Sequence, residues 1–375
     1  MFRELLTGIA GGTLSGISPG IHVNTLAAFL SALGMSNNLL LFSMGLTHTF
    51  LDVVPSAFLG VPDEGTALGI LPAHRLVLQG RAMEVVRMAL WASFLAILMA
   101  FPLIPVYTVL ASHYRADIGR AAVLLLFAVL VVTERGWRRV YAVFVFLLSG
   151  VLGVFVFRLP LTHPYYHLFT GLFGVPVLIG ALFGGTGDIS PGSGEVLMER
   201  GRFLKFSFLG TILGMAASLI PAFTASQAAL MGSFISRDER SFLTVVFSVN
   251  TANFIFSFVN FVETGRRRNG IVSLMAPMSA DALLVYLSAA VFVAAVILLY
   301  GEPLARLILS ALTLVPYRLL NASVLLLLAC LSFLFDGPAG LLILAGSAMI
   351  GLLPPVLGMK RTNCMGVLML PIIIG

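Results

Sequence analysis

The residues of this chain best suited to chemistry are uncharged polar side chains that follow a backbone break. In "GGTLSGISPGIHVNTLAAFL", residues 11–30, Ser18, Pro19 and Gly20 interrupt an apolar helical pattern, and His22, Asn24 and Thr25 follow at once. Pro19 lacks a backbone donor and disfavours helix at Ser18, while Gly20 admits backbone angles closed to other residues. A helix restarting after such a break presents free N–H groups and the positive end of its dipole. That arrangement suits a carboxylate. A second stretch carries a similar set, with Thr224, Ser226 and Gln227 after Pro221. The plain structural alternative is a kink whose polar side chains bond to their own backbone.

A second group could handle a coupling ion. His48 and Asp52 lie four residues apart inside an apolar span and share one helix face. An ionisable residue within a membrane helix is costly unless it has a function or a partner. The pair suits a proton, and the Asp52 oxygens suit Na⁺. Asn250, Thr251 and Asn253 offer further oxygens on a later span. Such residues also hold helices together by hydrogen bonds. Pro62, Asp63, Glu64 and Thr66 begin another broken stretch, a second candidate re-entrant element.

Other features point to structure. Arg81 and Arg87 read as interfacial anchors that snorkel. The loop "GGTGDISPGSGE", 184–195, is glycine-rich but has no lysine and lacks the phosphate-loop pattern, so it reads as a solvated connector. His163 and His167 are four apart, yet Pro164 lies between them and no acidic residue is near in sequence. There is no H-E-x-x-H and no G-x-S-x-G, so enzyme chemistry is not expected. The two cysteines, Cys330 and Cys364, read as small apolar residues, and neither a disulfide framework nor a metal centre nor another cofactor is expected, apart from Na⁺ as coupling ion.

The elements that must position these residues are membrane helices. Of the 375 residues, 59% are hydrophobic and 10% charged, against about 25% charged in soluble domains. The apolar runs are long and continuous, unlike the alternating segments of a β-barrel. The expected fold is an all-α polytopic membrane protein with roughly 10–14 transmembrane segments, broken hairpins included. It lies in the plasma membrane as one membrane domain over 1–375. Net charge is +6, with 20 of the 22 basic residues Arg. They fall in short loop clusters rather than on one basic face, which argues against nucleic-acid binding. The first helix has no cleavage site after it and is expected to remain.

Apolar arms at 5–34 flank the first break and are each too short to cross a bilayer. Spans follow at 38–60, 83–111, 118–133, 140–158 and 165–184. Two more short arms occupy 206–235, then come 241–263, 278–300, 303–316, 319–335, 338–358 and 362–375. Gly8, Gly12, Gly16 and Pro19 correspond to Gly210, Gly214, Ser218 and Pro221, each 202 residues on. "THTF" at 47–50 aligns with "TANF" at 251–254, 204 residues on. The expected organisation is repeat 1 over 5–111, connecting spans over 112–200, repeat 2 over 206–300 and C-terminal spans over 301–375. Five spans between the copies make the repeat inverted, which in membrane chains marks transporters with sites at matched broken helices. Two basic clusters, Arg200/Arg202/Lys205 and 266–268, are separated by an odd number of spans, so charge alone does not orient the chain.

The same residues carry a family resemblance. Gly12-x3-Gly16-x2-Pro19-Gly20 resembles the G-x3-G-x2-P-G signature of the large permease subunit of tripartite tricarboxylate transporters. Residues 62–67, "PDEGTA", and 79–82, "QGRA", resemble its second signature, and Pro221 with "TASQAA" (224–229) resembles the first again. Departures are Pro72-Ala73, where the family has Asp-Gly, and Ala222 after Pro221. The chain is similar to a short, divergent branch, as from an archaeon. The resemblance implies secondary uptake of di- or tricarboxylates driven by H⁺ or Na⁺, by symport. It also implies a small membrane subunit and an extracytoplasmic binding protein as partners; a homodimer is a further option. The substrate is expected between the two tips. The alternatives are a channel or exporter of another small solute, and a non-transporting structural membrane protein.

Overall fold

A computed structural model of the protein describes residues 1–20, 22–35, 37–61, 67–113, 116–183, 194–220, 225–236 and 238–374. Among them every regular element is helical and none is a strand. Seven helical stretches are long and apolar enough to cross a membrane. The expected all-α, multi-pass membrane architecture is what forms.

Helix α1 (Phe2–Ile17) ends where Ser18 becomes extended, with φ −88° and ψ 116°. Gly20 then takes φ +77°. Helix α2 (Val23–Ala32) restarts with His22 as N-cap, whose Nδ1 accepts the Asn24 N–H at 3.1 Å. Asn37 caps α3 (Asn38–Leu51), and α4 (Val53–Leu59) continues it past Asp52. Gly8 packs on Leu40 and Ser43, Gly12 on Met44 and Thr47, and Gly16 on Leu51. Residue numbers rise together on both helices, so α1 and α3 run parallel. The chain therefore goes in along α1, turns at 18–22 and returns along α2 to the end where it began.

Helix α5 (Ile70–Leu78) leads to α6 (Ala82–Ala100), which bends through Pro102 and Pro105 into α7 (Ile104–Ser112). Helices α8 (Ala116–Thr133) and α9 (Arg138–Val156) follow. Helix α10 (Pro164–Phe169) passes through a π-helical turn at Thr170–Gly174 into α11 (Val175–Phe183). Then come α12 (Arg200–Leu219), α13 (Ala225–Ser233) and α14 (Glu239–Thr264). Gly210 packs on Val245 and Ser248, and Gly214 on Val249 and Ala252, so α12 and α14 are also parallel. These contacts equate Ser43 with Ser248 and Thr47 with Ala252. The Thr47–Thr251 alignment read from the sequence is thus one residue out of register, a slip that helices rich in similar apolar residues do not reveal by composition.

A short α15 (Gly270–Ser273) precedes α16 (Leu283–Leu312). The sequence suggested separate spans at 278–300 and 303–316. They are one helix that runs through Pro303. Helix α17 (Tyr317–Leu357) has 41 residues, about 62 Å if straight and twice a hydrocarbon core. It reverses instead. Asp336 (φ −137°, ψ 22°) and Gly337 (φ 60°, ψ −148°) break it, and Gly340 backs onto the Ser332 carbonyl. The two arms, 317–335 and 338–357, are therefore antiparallel. Helix α18 (Gly366–Ile374) closes the chain against α9, where Gly150 and Gly153 face Leu370 and Val367.

The core is the crossing of α3 with α14. The Phe42 and Phe258 rings meet at a tilt (centroids 4.6 Å apart), Gly45 meets Phe254, and Thr251 donates to Thr49 Oγ1 at 3.1 Å. Numbers rise along α3 as they fall along α14, so the central pair is antiparallel. Helix α6 runs parallel to α14, since Arg240 meets Glu84 and Ser248 donates to the Ala92 carbonyl.

Candidate functional site

A cavity of about 230 Å³ opens at the first break. Its near wall is the end of α1 and the start of α2: Ser15, Gly16, Ser18, Gly20, His22, Asn24 and Thr25. The α3–α4 junction supplies His48, Asp52 and Ser56. The far wall is the entry to α10 with the tip of the α17 hairpin: Thr162, His163, Tyr166, Thr170 and Phe335. Gly20 is pressed against Leu331 and Tyr166, so the break abuts this wall directly.

The polar groups are held in place. Ser15 Oγ and His48 Nδ1 lie 3.1 Å apart, and the His22 and His48 rings are 5.1 Å apart. Asn250 Nδ2 donates to Asp52 Oδ2 at 2.7 Å, tying the carboxylate to α14. Asp52 is 2% exposed; a carboxylate there is tolerable only with such partners. On the far wall, Asp336 accepts the backbone N–H groups of Thr162 (2.6 Å) and His163 (2.9 Å), and its Oδ2 lies 2.8 Å from His167 Nε2. His167 Nδ1 is 2.8 Å from Ser332 Oγ. Tyr166 donates to the Leu328 carbonyl at 3.0 Å. One carboxylate thus pins the α17 turn to the start of α10.

Among the described lining residues no Arg or Lys appears, and Asp52 is the carboxylate. Three imidazoles face in: His22, His48 and His163. Burial holds the His163 imidazole below its usual value, against the pull of the Asp336 charge. The donors are therefore neutral side chains around the start of α2, a ten-residue helix whose Asn24 N–H is held by His22 Nδ1 and whose Thr25 N–H is held by the His22 carbonyl. The described residues hold no group of three or more His, Cys, Asp or Glu that could take a metal ion.

The sequence-derived residues divide clearly. Ser18, Gly20, His22, Asn24 and Thr25 meet His48 and Asp52 at one place, Pro19 does not line the cavity, and Asn250 reaches Asp52 from α14. Thr251 bonds Thr49, and Asn253 is half-buried beside Gly214. Ser226 is buried in α13 and does not line this cavity. Pro221, Thr224 and the Gln227 side chain lie outside the described residues, as do Pro62, Asp63, Glu64 and Thr66. The wall facing the first tip is α10 with the α17 turn, where the sequence reading expected the second tip. The second break has its own setting: Ser218 donates to Tyr107 Oη (3.1 Å), Asn260 to the Ser218 carbonyl (3.2 Å) and Arg268 to the Leu219 carbonyl (2.8 Å).

Sequence reasoning noticed His163 and His167 but not their acid, because Asp336 is 169 residues from His167. The Asp336-Gly337-Pro338 run was the available signal. Arg81 and Arg87, expected to snorkel, are ion-paired. Arg81 and Arg240 share Glu84, which is 1% exposed and also accepts the Leu197 N–H. Arg87 makes two hydrogen bonds to Glu302 (3.0 and 2.7 Å), which also binds Arg306. Glu84 is only three residues from Arg81 and was legible locally, whereas Glu302 lies 215 residues from Arg87, so composition near Arg87 could not show that pair.

Comparison with known proteins agrees with this architecture. A family model described as "Tripartite tricarboxylate transporter TctA family" matches residues 4–366. An uncharacterised protein of Methanocaldococcus jannaschii is 30% identical over 295 residues, covering 74% of this chain and 72% of that one. No solved structure matches.

Proposed function

The chain belongs to the tripartite tricarboxylate transporter TctA family, and from that premise we propose that it is a secondary permease that takes a di- or tricarboxylate into the cavity at the first break. The observation that carries the reading is the composition of that cavity. Helix α2 begins in it, Asn24, Thr25 and Ser18 supply neutral donors, and Asp52 supplies one negative charge.

That charge supplies the coupling. An anion about 6 Å from ionised Asp52 is repelled by roughly 3 kcal/mol at an effective dielectric near 20. Na⁺ on the Asp52 oxygens, or a proton, removes the penalty and favours anion binding by about a hundredfold. Linkage makes the effect mutual, so the anion tightens cation binding equally. Binding both or neither is what symport requires.

The opposed directions of α1–α2–α3 and α12–α13–α14 support an inverted repeat with two re-entrant hairpins. The antiparallel crossing at Thr49 and Thr251 supports an axis there. The ends of the bundle differ in charge. Arg75, Arg81, Arg87, Arg138, Arg202, Arg240, Arg306 and Lys360 gather where α6, α12 and α14 begin. By the positive-inside rule that end is cytoplasmic, which puts the start of α1 outside. Delivery by an extracytoplasmic binding protein, with a small membrane subunit alongside, fits that orientation.

Uptake of labelled succinate and citrate into proteoliposomes, under inward Na⁺ or H⁺ gradients, tests the reading. Saturable uptake under at least one gradient is expected. Asp52→Asn should keep anion binding and lose its dependence on the cation. No carboxylate flux under either gradient would sink the proposal, and current that fails to saturate would identify a channel.

A further inference from the structure

We propose that a second cavity, between α5 and the α17–α18 connection, binds the phosphodiester head of an anionic membrane lipid. The cavity measures about 450 Å³. It lies at the basic end of the bundle, away from the transport cavity, and shares no residue with it. The inference does not depend on the transport reading.

Its two sides differ in chemistry. Leu68, Leu71, Phe173 and Pro355 make an apolar wall, and Leu71 and Pro355 reach the outer surface. Opposite them stand Lys360, Arg361 and Thr362, at the start of the turn Arg361–Met365. The Arg361 Nη1 and Thr362 Oγ1 atoms are shielded from solvent and make no hydrogen bond among the described residues. Among the described residues neither the Lys360 nor the Arg361 side chain has a carboxylate partner.

Many arginines of this end are matched by carboxylates: Arg75 with Glu239, Arg81 and Arg240 with Glu84, Arg87 and Arg306 with Glu302, Arg202 with Asp238. Arg361 differs from these in that one of its guanidinium nitrogens is both shielded and without an acceptor among the described residues. A guanidinium nitrogen out of contact with water requires an acceptor, and a charged acceptor most of all. The ligand must carry an oxyanion for Arg361 and Thr362, and must also cover Leu71 and Pro355. A small carboxylate or free phosphate does only the first. A phospholipid does both, with its phosphate on the basic side and an acyl chain leaving along α5. Basic pockets between helices at the cytoplasmic surface are where anionic lipid heads bind.

The test is native mass spectrometry of the purified protein released from vesicles of phosphatidylcholine with one-fifth phosphatidylglycerol. Retention of phosphatidylglycerol over phosphatidylcholine is expected. Arg361→Gln should weaken it about tenfold, the worth of one charge-assisted hydrogen bond. Leu71→Trp, which fills the apolar side and leaves Arg361 in place, should weaken it as well and guards against misfolding of the first variant. Equal retention of the two lipids, or unchanged retention in both variants, would overturn the proposal. So would thermal protection by millimolar inorganic phosphate that is lost in Arg361→Gln, since the source would then be the free ion.

Discussion

Two residues lining the cavity, Gly20 and His163, have roles that single substitutions separate. Gly20 takes a left-handed φ of +77° and is packed on Leu331 and Tyr166. A side chain there costs about 1–2 kcal/mol in backbone strain alone, and a Cβ would crowd Leu331 Cδ1 at 2.8 Å. Gly20→Ala should therefore lower the melting temperature by a few degrees and reduce uptake, both read on purified protein. His163 makes a pH prediction. Burial favours its neutral form, so it charges only as pH falls below the ordinary imidazole range near ~6.5. Asp336 and His167 face it from the far wall, and His22 from the near one. Protonation adds a positive charge to the cavity, so carboxylate affinity should rise on acidification below that range. Calorimetric affinity in His163→Gln should show a flatter acid limb; a limb unchanged from wild type would assign the effect to another group.

Helix packing sets what the broken elements can do. On α1, the glycines at 8 and 12 let α3 approach so closely that a Cβ at Gly12 would strike the Met44 carbonyl and the Thr47 side chain. The matching Cβ at Gly214 would lie 2.7 Å from Ala252 Cβ and 2.8 Å from the Val249 carbonyl. Gly12→Val and Gly214→Val should each push a hairpin off its parallel partner and reduce folded yield in detergent by size exclusion. The α17 hairpin depends on Asp336 instead. Removing its carboxylate strands two N–H groups and an imidazole, with bonds to a charged acceptor worth about 1.5–3 kcal/mol each. Asp336→Ala should cost at least ~3 kcal/mol and lower the melting temperature by several degrees, with Asp336→Asn recovering part. An unchanged melting temperature in Asp336→Ala would show that the turn stands without it.

For the whole molecule, orientation follows from where the topology carries each basic cluster. The fold sends Arg200, Arg202 and Lys205 to one end and 266–268 to the other, because α12 returns through α13 before α14 crosses. Both clusters therefore cannot be cytoplasmic, and the richer end decides. With Cys330→Ser and Cys364→Ser as background, Arg267→Cys should react with a membrane-impermeant thiol reagent in intact cells. Arg202→Cys should react only after permeabilisation. The reverse pattern would invert the topology.

The sequence by itself determined the solvent and the breaks. Long apolar runs specify membrane helices because hydrocarbon admits no unpaired backbone groups, and Pro19-Gly20 stops α1 by local sterics alone. The close packing of α1 on α3 was legible for the same reason, since small residues at every fourth position mark close helix approach wherever they occur. What only the tertiary structure decided is which groups meet. Asp336 finds His167, Glu302 finds Arg87, and Asn250 finds Asp52 across 198 residues. A buried charge can be matched by any partner that the fold brings within hydrogen-bond reach, and no local pattern records that choice. So part of the near wall of the cavity could be read from residues 18–25, while its far wall, α10 with the α17 turn, exists only once the chain has folded.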